Sequence, residues 1–486
     1  MSEEIKNLNP KALWNNFYKL TQIPRPSKKE QEVADFVKKF GESLNLETKV
    51  DDTGNIVILK PATKGMEDRK TVTLQGHLDM VPQKNNDTDH DFEKDPIDAY
   101  VDGDWVTAKG TTLGADNGMG VAAALTVLEA DDIAHGPIEA FFTVDEETGM
   151  TGAFGLKEGF LQGDILLNMD SEDEGELYIG CAGGMDTMAE FSYDQVNAPS
   201  DAKAYEIVAK GLKGGHSGLD IHLGRGNAIK ITNRLMWNAA RKYGLRVAEF
   251  NSGDVRNAIP REGHAIVMVP NDKSADFEKY VKEFSETVGN EYKSVDPGLE
   301  VFVKDAEAPA KVMDEKTQTS LLNAVYGIPN GVISMIPDMP EVVETSTSTG
   351  VMKTENGKVK IVTLQRSSVN SRKEDLGNMI RAIFEQAGAK VEHHGSYPGW
   401  NPDVNSPILG TMKEVYNKEF GKVPEVKVIH AGLECGLIKA VYPKMDAISF
   451  GPTISFPHSP DEKVNIKTVE KFWDFVKHTL ENVPKK

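Results

Sequence analysis

The chain has 486 residues, enough for two or three domains with ordinary cores. Its 75 acidic side chains outnumber 55 basic ones, giving a formal net charge of −20 that argues against nucleic acid and anionic membranes as partners. No apolar run approaches the roughly 20 residues that cross a bilayer. The start lacks a signal peptide's basic flank and apolar core, and Cys181 and Cys435 are too few for a disulfide framework, so a reducing cytoplasm is expected.

From Pro10 to about residue 185, helical and strand patterns alternate. Val33, Phe36, Val37 and Phe40 fall at helical spacing and predict a helix over 30–44. Val72-Thr73-Leu74 reads as a buried strand running into Gly76-His77-Leu78-Asp79. Gly114-Ala115-Asp116-Asn117-Gly118 opens a small-residue helix over 118–128. Ala140-Phe141-Phe142-Thr143-Val144 leads into Asp145-Glu146-Glu147, and Ile165-Leu166-Leu167 into Asn168-Met169-Asp170. Strands alternating with helices predict an α/β fold with a largely parallel sheet flanked by helices.

After Gly183-Gly184 the texture changes. Strands over 205–209 and 264–269 bracket an amphipathic helix over 227–241, with Ile231, Leu235 and Ala239 on one stripe. A second strand–helix–strand set follows over 359–364, 372–386 and 390–393, so this region is expected to be an α+β domain of two related modules. Past residue 395 the α/β texture returns, with helices over 406–420 and 469–480 and strands over 426–429 and 447–450. The last of these leads through a Pro-containing loop to Phe456-Pro457-His458-Ser459. The simplest organisation is one catalytic domain built from residues 1–186 and 396–486, interrupted by an inserted domain over 187–395.

In an α/β sheet the carboxyl ends of the strands share one edge, where ligands bind. Two imidazoles and at least three carboxylates would meet there, and so many anions together disfavour one another's ionised forms. A pair of divalent cations resolves that conflict. Asp79 is spaced to accept the second N–H of a metal-binding His77. A carboxylate at Asp116 can bridge two cations with its two oxygens. If Glu147 binds metal, its neighbour Glu146 points elsewhere and can act as general base toward a metal-activated water. Oxygen-rich sites with one histidine per ion suit Zn²⁺, with Co²⁺ and Mn²⁺ as alternatives. His216, in Gly214-Gly215-His216-Ser217-Gly218, has the glycine setting of a ligand loop. His90, His135, His264 and His478 read as surface or packing residues, and Ser171-Glu172-Asp173-Glu174 as solvated charge.

The ordered set G-H-x-D, G-x-D-N-G, D-E-E-x-G, N-x-D and a late P-H-S resembles the M20 metallopeptidases across essentially the whole chain. The G-G-H-S-G, N-A-I-P and H-A-G-L-E-C-G segments are similar to the aminoacyl-histidine dipeptidase (Xaa-His dipeptidase) branch. The resemblance implies a binuclear zinc site in a zinc-peptidase-like catalytic domain, and an inserted lid. It implies His77 and Asp170 on one ion, Glu147 and His458 on the other, and Asp116 bridging. It implies that Asp79 orients His77, that Glu146 is the base, and that the Asp116–Asn117 peptide is cis. His216 resembles the lid histidine that polarises the scissile carbonyl. Asn257 and Arg366 match substrate-holding lid positions, and Glu434 is a further carry-over.

The expected activity is hydrolysis of short peptides, Xaa-His dipeptides among them, by a cytoplasmic homodimer that binds neither nucleic acid nor membrane. A tripeptidase or N-acyl amino acid deacylase would share every metal ligand, and a catalytically dead scaffold would lack the need for Glu146.

Overall fold

A computed structural model describes residues 3–486. The chain forms two compact units. One comprises the residues up to Gly180 together with Trp400–Val428 and Leu433–Lys486; the other comprises Cys181–Gly399 and Ile429–Gly432. The division thus falls a few residues outside the 187–395 span drawn from sequence. The short 429–432 piece joins the second unit because Ala182 N–H donates to Ile429 O at 3.0 Å and Ser346 Oγ hydrogen-bonds His430 Nε2 at 2.7 Å.

The first unit is built on an eight-stranded sheet. Its order is Glu47–Val50, Ile56–Lys60, Ile138–Thr143, Val72–His77, Ile165–Asn168, Asp446–Ser449, Glu176–Cys181 and Glu425–Ile429. The central four strands are parallel, with His77 opposite Thr143, Gln75 opposite Asn168 and Ser449 opposite Asn168. Antiparallel strands flank this centre. The strands Val72–His77, Ile138–Thr143 and Ile165–Asn168 are buried at every position, which is why they read as continuous apolar runs.

The helix Ala115–Glu129 packs on Val72–His77 and is buried throughout 117–128. Such a helix is apolar on all sides. Its small residues permit a close approach: a Cβ at Gly120 would stand 2.4 Å from Met169 O, and one at Gly76 would stand 2.3 Å from Asn117 Oδ1. A smaller sheet, in the order Ile454–Ser455, Lys463–Asn465, Trp105–Ala108 and Ala99–Asp102, ties the loop containing His458 to the segment that leads to Asp116.

The second unit is an antiparallel sheet covered by the helices Ala228–Tyr243, Ser274–Tyr292, Glu315–Gly327 and Asn370–Gln386. The two strand–helix–strand sets expected from sequence share this sheet and one core, in which Ile231 and Leu235 from one set and Leu376 and Ile380 from the other are buried. Asn227 caps its helix by accepting from Ile229 N–H at 3.0 Å, an interaction worth about 1 kcal/mol. Both cysteines are buried. Among the described residues, no helix is long and apolar enough to cross a membrane.

Candidate active site

The parallel strands deliver the first unit's polar residues to one edge. His77 ends its strand, with Asp79 just beyond. Glu146 and Glu147 begin the turn Glu146–Gly149 after Ile138–Thr143, and Asp170 follows Ile165–Asn168. Asp116 lies at the start of Ala115–Glu129 with non-helical backbone angles, and the Asp116–Asn117 peptide is cis. Asp145, Phe456 and His458 take left-handed backbone conformations, with φ of 52°, 56° and 59°. Such angles are uncommon outside glycine and tend to gather at functional sites.

The distances describe two triads that share one carboxylate. His77 Nε2 lies 3.2 Å from Asp116 Oδ1 and 3.3 Å from Asp170 Oδ1. His458 Nε2 lies 3.1 Å from Asp116 Oδ2 and 3.0 Å from Glu147 Oε2. Ligand atoms placed tetrahedrally about an ion at about 2.0–2.1 Å stand about 3.3 Å from one another, so both triads have the spacing of a small divalent-cation site. Glu147 Oε1 and Asp170 Oδ1 are buried without a hydrogen-bond partner, which suits oxygens that ligate a cation. The donor set, one imidazole with two carboxylates in each triad, fits Zn²⁺, Co²⁺ or Mn²⁺.

Electrostatics follow from this crowding. Asp170 is pushed up to about 7 by burial and by the charges of Asp116 and Glu147. Burial disfavours a charged His77, yet Asp170, Asp116 and Asp79 together raise it well above the usual histidine value. Glu146 is raised well above the ordinary glutamate value by desolvation, then by the charges of Asp170, Glu434 and Glu147. Ligand-type atoms of His77, Glu146 and Glu147 lie within 4.8 Å of one another.

Asp79 organises several of these groups at once. Its Oδ1 accepts from Glu146 N–H at 3.0 Å and faces His77 Nδ1 at 3.3 Å. Its Oδ2 accepts from Ser27 Oγ at 2.8 Å and Glu147 N–H at 3.2 Å. Burial opposes its charge, but the bonds from His77, Glu146 N–H and Ser27 outweigh that and hold it down at about 2.

Glu434 is fully buried at the start of the helix Glu434–Val441. Its Oε2 accepts from Gln75 Nε2 at 2.6 Å and Thr143 Oγ1 at 2.7 Å, while Oε1 has no hydrogen-bond partner. Burial, then the charge of Asp170, pushes it up to about 7. The solvated-charge reading of residues 171–174 needs correction at Glu172, which is largely withdrawn from water and raised to about 8 by burial and the charges of Asp116 and Asp170. Sequence reasoning also passed over Arg25 and Glu462, both buried beside the Asp116 turn. Glu462 follows His458 closely, and that nearness was the one available signal.

In the second unit His216, Asn257 and Arg366 come together. Gly215-His216 pairs with Ala258-Ile259, Ser217 N–H donates to Asn257 O at 2.8 Å, and Arg366 Nη2 lies 3.3 Å from His216 Nε2. His216 Nδ1 accepts from the N–H groups of Gly218 at 3.2 Å and Leu219 at 3.0 Å. Two backbone donors fix Nδ1 as the acceptor, so neutral His216 bears its proton on Nε2. The 3.3 Å contact with Arg366 Nη2 sets two donors side by side rather than forming a hydrogen bond. Burial, then the Arg366 guanidinium, lowers His216 to about 4, which keeps it neutral at pH 7. Nε2–H and the guanidinium therefore present converging donors suited to an oxygen ligand. His430, unassigned from sequence, is buried behind them and lowered to about 3 by burial and Arg366.

The chain is 45% identical over 483 residues to the cytosol non-specific dipeptidase of Escherichia coli (strain K12), covering 99% of this chain and 100% of that one. It superposes on the crystal structure of aminoacylhistidine dipeptidase from Vibrio alginolyticus with a TM-score of 0.95 and 48% identity, over 100% of this chain and 99% of the other. The aminopeptidase PepT from Bacillus cereus, at 18% identity and a TM-score of 0.58 over 98% and 99% of the two chains, shares the fold. A family model matches residues 73–482, a span that runs from the strand bearing His77 past His458, and by that match the chain belongs to peptidase family M20/M25/M40.

Proposed function

We propose that this metal-dependent peptidase is a dipeptidase of broad range that includes Xaa-His substrates, working through two divalent cations, zinc first among them. The observation that carries the reading is the split of Asp116, whose two oxygens face two separate imidazole–carboxylate pairs. His77 and Asp170 would hold one ion, Glu147 and His458 the other, and Asp116 both. Whole-length similarity to two dipeptidases supports the substrate class.

Bound at these positions, the cations supply Lewis acidity that polarises the scissile carbonyl and acidifies a water molecule. Glu146 takes the water's proton on its carboxylate and hands it to the leaving amine. Its raised proton affinity suits a group that must hold that proton between the two transfers. Asp79 keeps His77 oriented and fixes the backbone of Glu146 and Glu147. His216 Nε2–H donates to the carbonyl oxygen as negative charge develops there. Arg366 pairs with the substrate's free carboxylate and Asn257 adds a hydrogen bond. The partnerless Oε1 of Glu434 receives the α-ammonium group, which favours substrates with a free amino end. A cytoplasmic homodimer is part of the same proposal: the E. coli relative is named for the cytosol, and the dimer rests on the family resemblance.

The test is turnover of Gly-His, β-Ala-His, a tripeptide and an N-acetyl amino acid, with and without chelator. Cleavage of the dipeptides that stops on chelation and returns with Zn²⁺ or Co²⁺ is expected. Preference for the acetylated compound would make the protein a deacylase, and preference for the tripeptide a tripeptidase. Cleavage indifferent to chelator would remove the metal from the mechanism.

A further inference from the structure

One buried carboxylate has no part in the chemistry above. Glu462 is 2% exposed and accepts from four consecutive backbone N–H groups. Its Oε2 takes Leu113 at 2.8 Å and Gly114 at 3.0 Å, and its Oε1 takes Ala115 at 2.8 Å and Asp116 at 3.2 Å. A helix start leaves N–H groups without partners inside the helix. A local Ser, Thr, Asp or Asn usually supplies the cap. Here the capping position is Gly114, which has no side chain to offer, and the acceptor comes instead from the loop that carries His458. The positive end of the helix dipole favours a carboxylate there.

The carbonyl side of the same turn is held by Arg25, also 2% exposed, which donates to Leu78 O and Asp79 O at 3.0 Å each and to Gly114 O. A Cβ at Gly114 or Gly118 would stand 2.6 or 2.7 Å from Arg25 Nη2, so these glycines make room for the guanidinium. Glu462 is itself anchored. Thr107 Oγ1 donates to its backbone carbonyl at 2.7 Å, and the strand Lys463–Asn465 pairs with Trp105–Ala108 directly after it.

We propose that Glu462 is a positioning residue for the metal centre, locking the backbone of the Asp116 turn to the His458 loop so that Asp116 and His458 are held in register for one cation. The inference rests on the binuclear reading of the site. Position 114 must stay glycine to admit Arg25, so the cap has to come from another segment, and the segment that supplies it is the one that carries His458. An acceptor drawn from the His458 loop adds a backbone tie between two ligands whose side chains already meet at 3.1 Å.

The experiment uses the full chain loaded with Co²⁺ and titrated with a competing chelator, following the visible absorption of the bound ion. Glu462→Gln exchanges one acceptor oxygen for an amide donor facing N–H groups, and Glu462→Asp shortens the reach. Each should release Co²⁺ at chelator concentrations about 10- to 100-fold lower than the parent, the usual penalty for losing a group that orients a ligand. The Co²⁺ spectrum should change shape as well as amplitude. Asp461→Asn, which alters the adjacent exposed carboxylate of the same loop without touching the helix start, should keep the parent's affinity and spectrum. Parent-like affinity and spectrum in both Glu462 variants, whatever their melting temperatures, would overturn the proposal. Failure of both to fold would assign Glu462 to the fold alone and overturn it equally. If the parent takes up no Co²⁺, the metal reading itself falls and carries this inference with it.

Discussion

Glu146 and Glu147 are adjacent, yet their side chains have separate tasks in the proposed reaction. Their amides are both tied to Asp79, at 3.0 and 3.2 Å, so the backbone between them is fixed. Glu147 Oε2 faces His458 at 3.0 Å, whereas Glu146 lies in a group with His77. Glu146→Gln should therefore retain the parent's metal content while kcat falls by about 10² to 10⁴, the usual contribution of a general base. Metal analysis beside steady-state kinetics checks it, and metal loss in step with activity would make Glu146 a ligand instead. At this scale the sequence was informative wherever a ligand-type residue ended an apolar strand, as His77 and Asp170 do. Arg25 and Glu462 were illegible because each is defined by backbone groups far along the chain, and a capping contact between distant segments leaves no periodicity to read.

The helix Ala115–Glu129 sets the depth at which Asp116 sits. Gly120 presses against Met169 O with no room for a methyl group, and Met169 is the residue before Asp170. Gly120→Ala should push the helix outward, separating Asp116 from Asp170. The expected outcome is a loss of about 1–3 kcal/mol in stability, typical of overpacking, with weaker metal retention. Chemical unfolding together with metal content after dialysis would measure both, and parent-like values would mean the helix is free to shift. The helix was legible as a small-residue run, but its start was drawn at residue 118 although the element begins at Ala115. Asp116 and Asn117 have non-helical angles, so the turn and the helix merge where sequence shows only a glycine cluster. Likewise the two strand–helix–strand sets of the second unit were each visible, while their fusion into one sheet depends on long-range pairing that no local pattern encodes.

For the molecule as a whole, acid should act through buried neutral histidines. His430 is lowered from 6.5 to about 3, by burial first and then by Arg366, and His216 is lowered to about 4. In both cases the unfolded chain binds the extra proton, so their contribution to stability is present above about pH 6.5. It is lost as pH falls from there toward about 4 for His216 and about 3 for His430. Each such histidine gives a slope of about 1.4 kcal/mol per pH unit within its window. His430→Gln, which can keep a bond to Ser346, should flatten the pH dependence of unfolding free energy by about that amount between pH 6 and 4. Urea melts at several pH values would show it, and an unchanged slope would place the acid sensitivity elsewhere.

The shared carboxylate has a consequence for how the protein is made. His458 follows Asp116 by 342 positions and Glu462 follows it by 346. At about 5–20 residues per second of synthesis, the nascent chain waits tens of seconds between exposing the first of these and the last. Throughout that wait the amides of 113–116 lack the Glu462 carboxylate, and under the proposed reading a cation held by His77, Asp116 and Asp170 would fill only half of the centre. On the proposed roles of His458 and Glu462, peptide-cleaving competence would be withheld from a partly translated chain until the segment through residue 462 has folded back onto the first third.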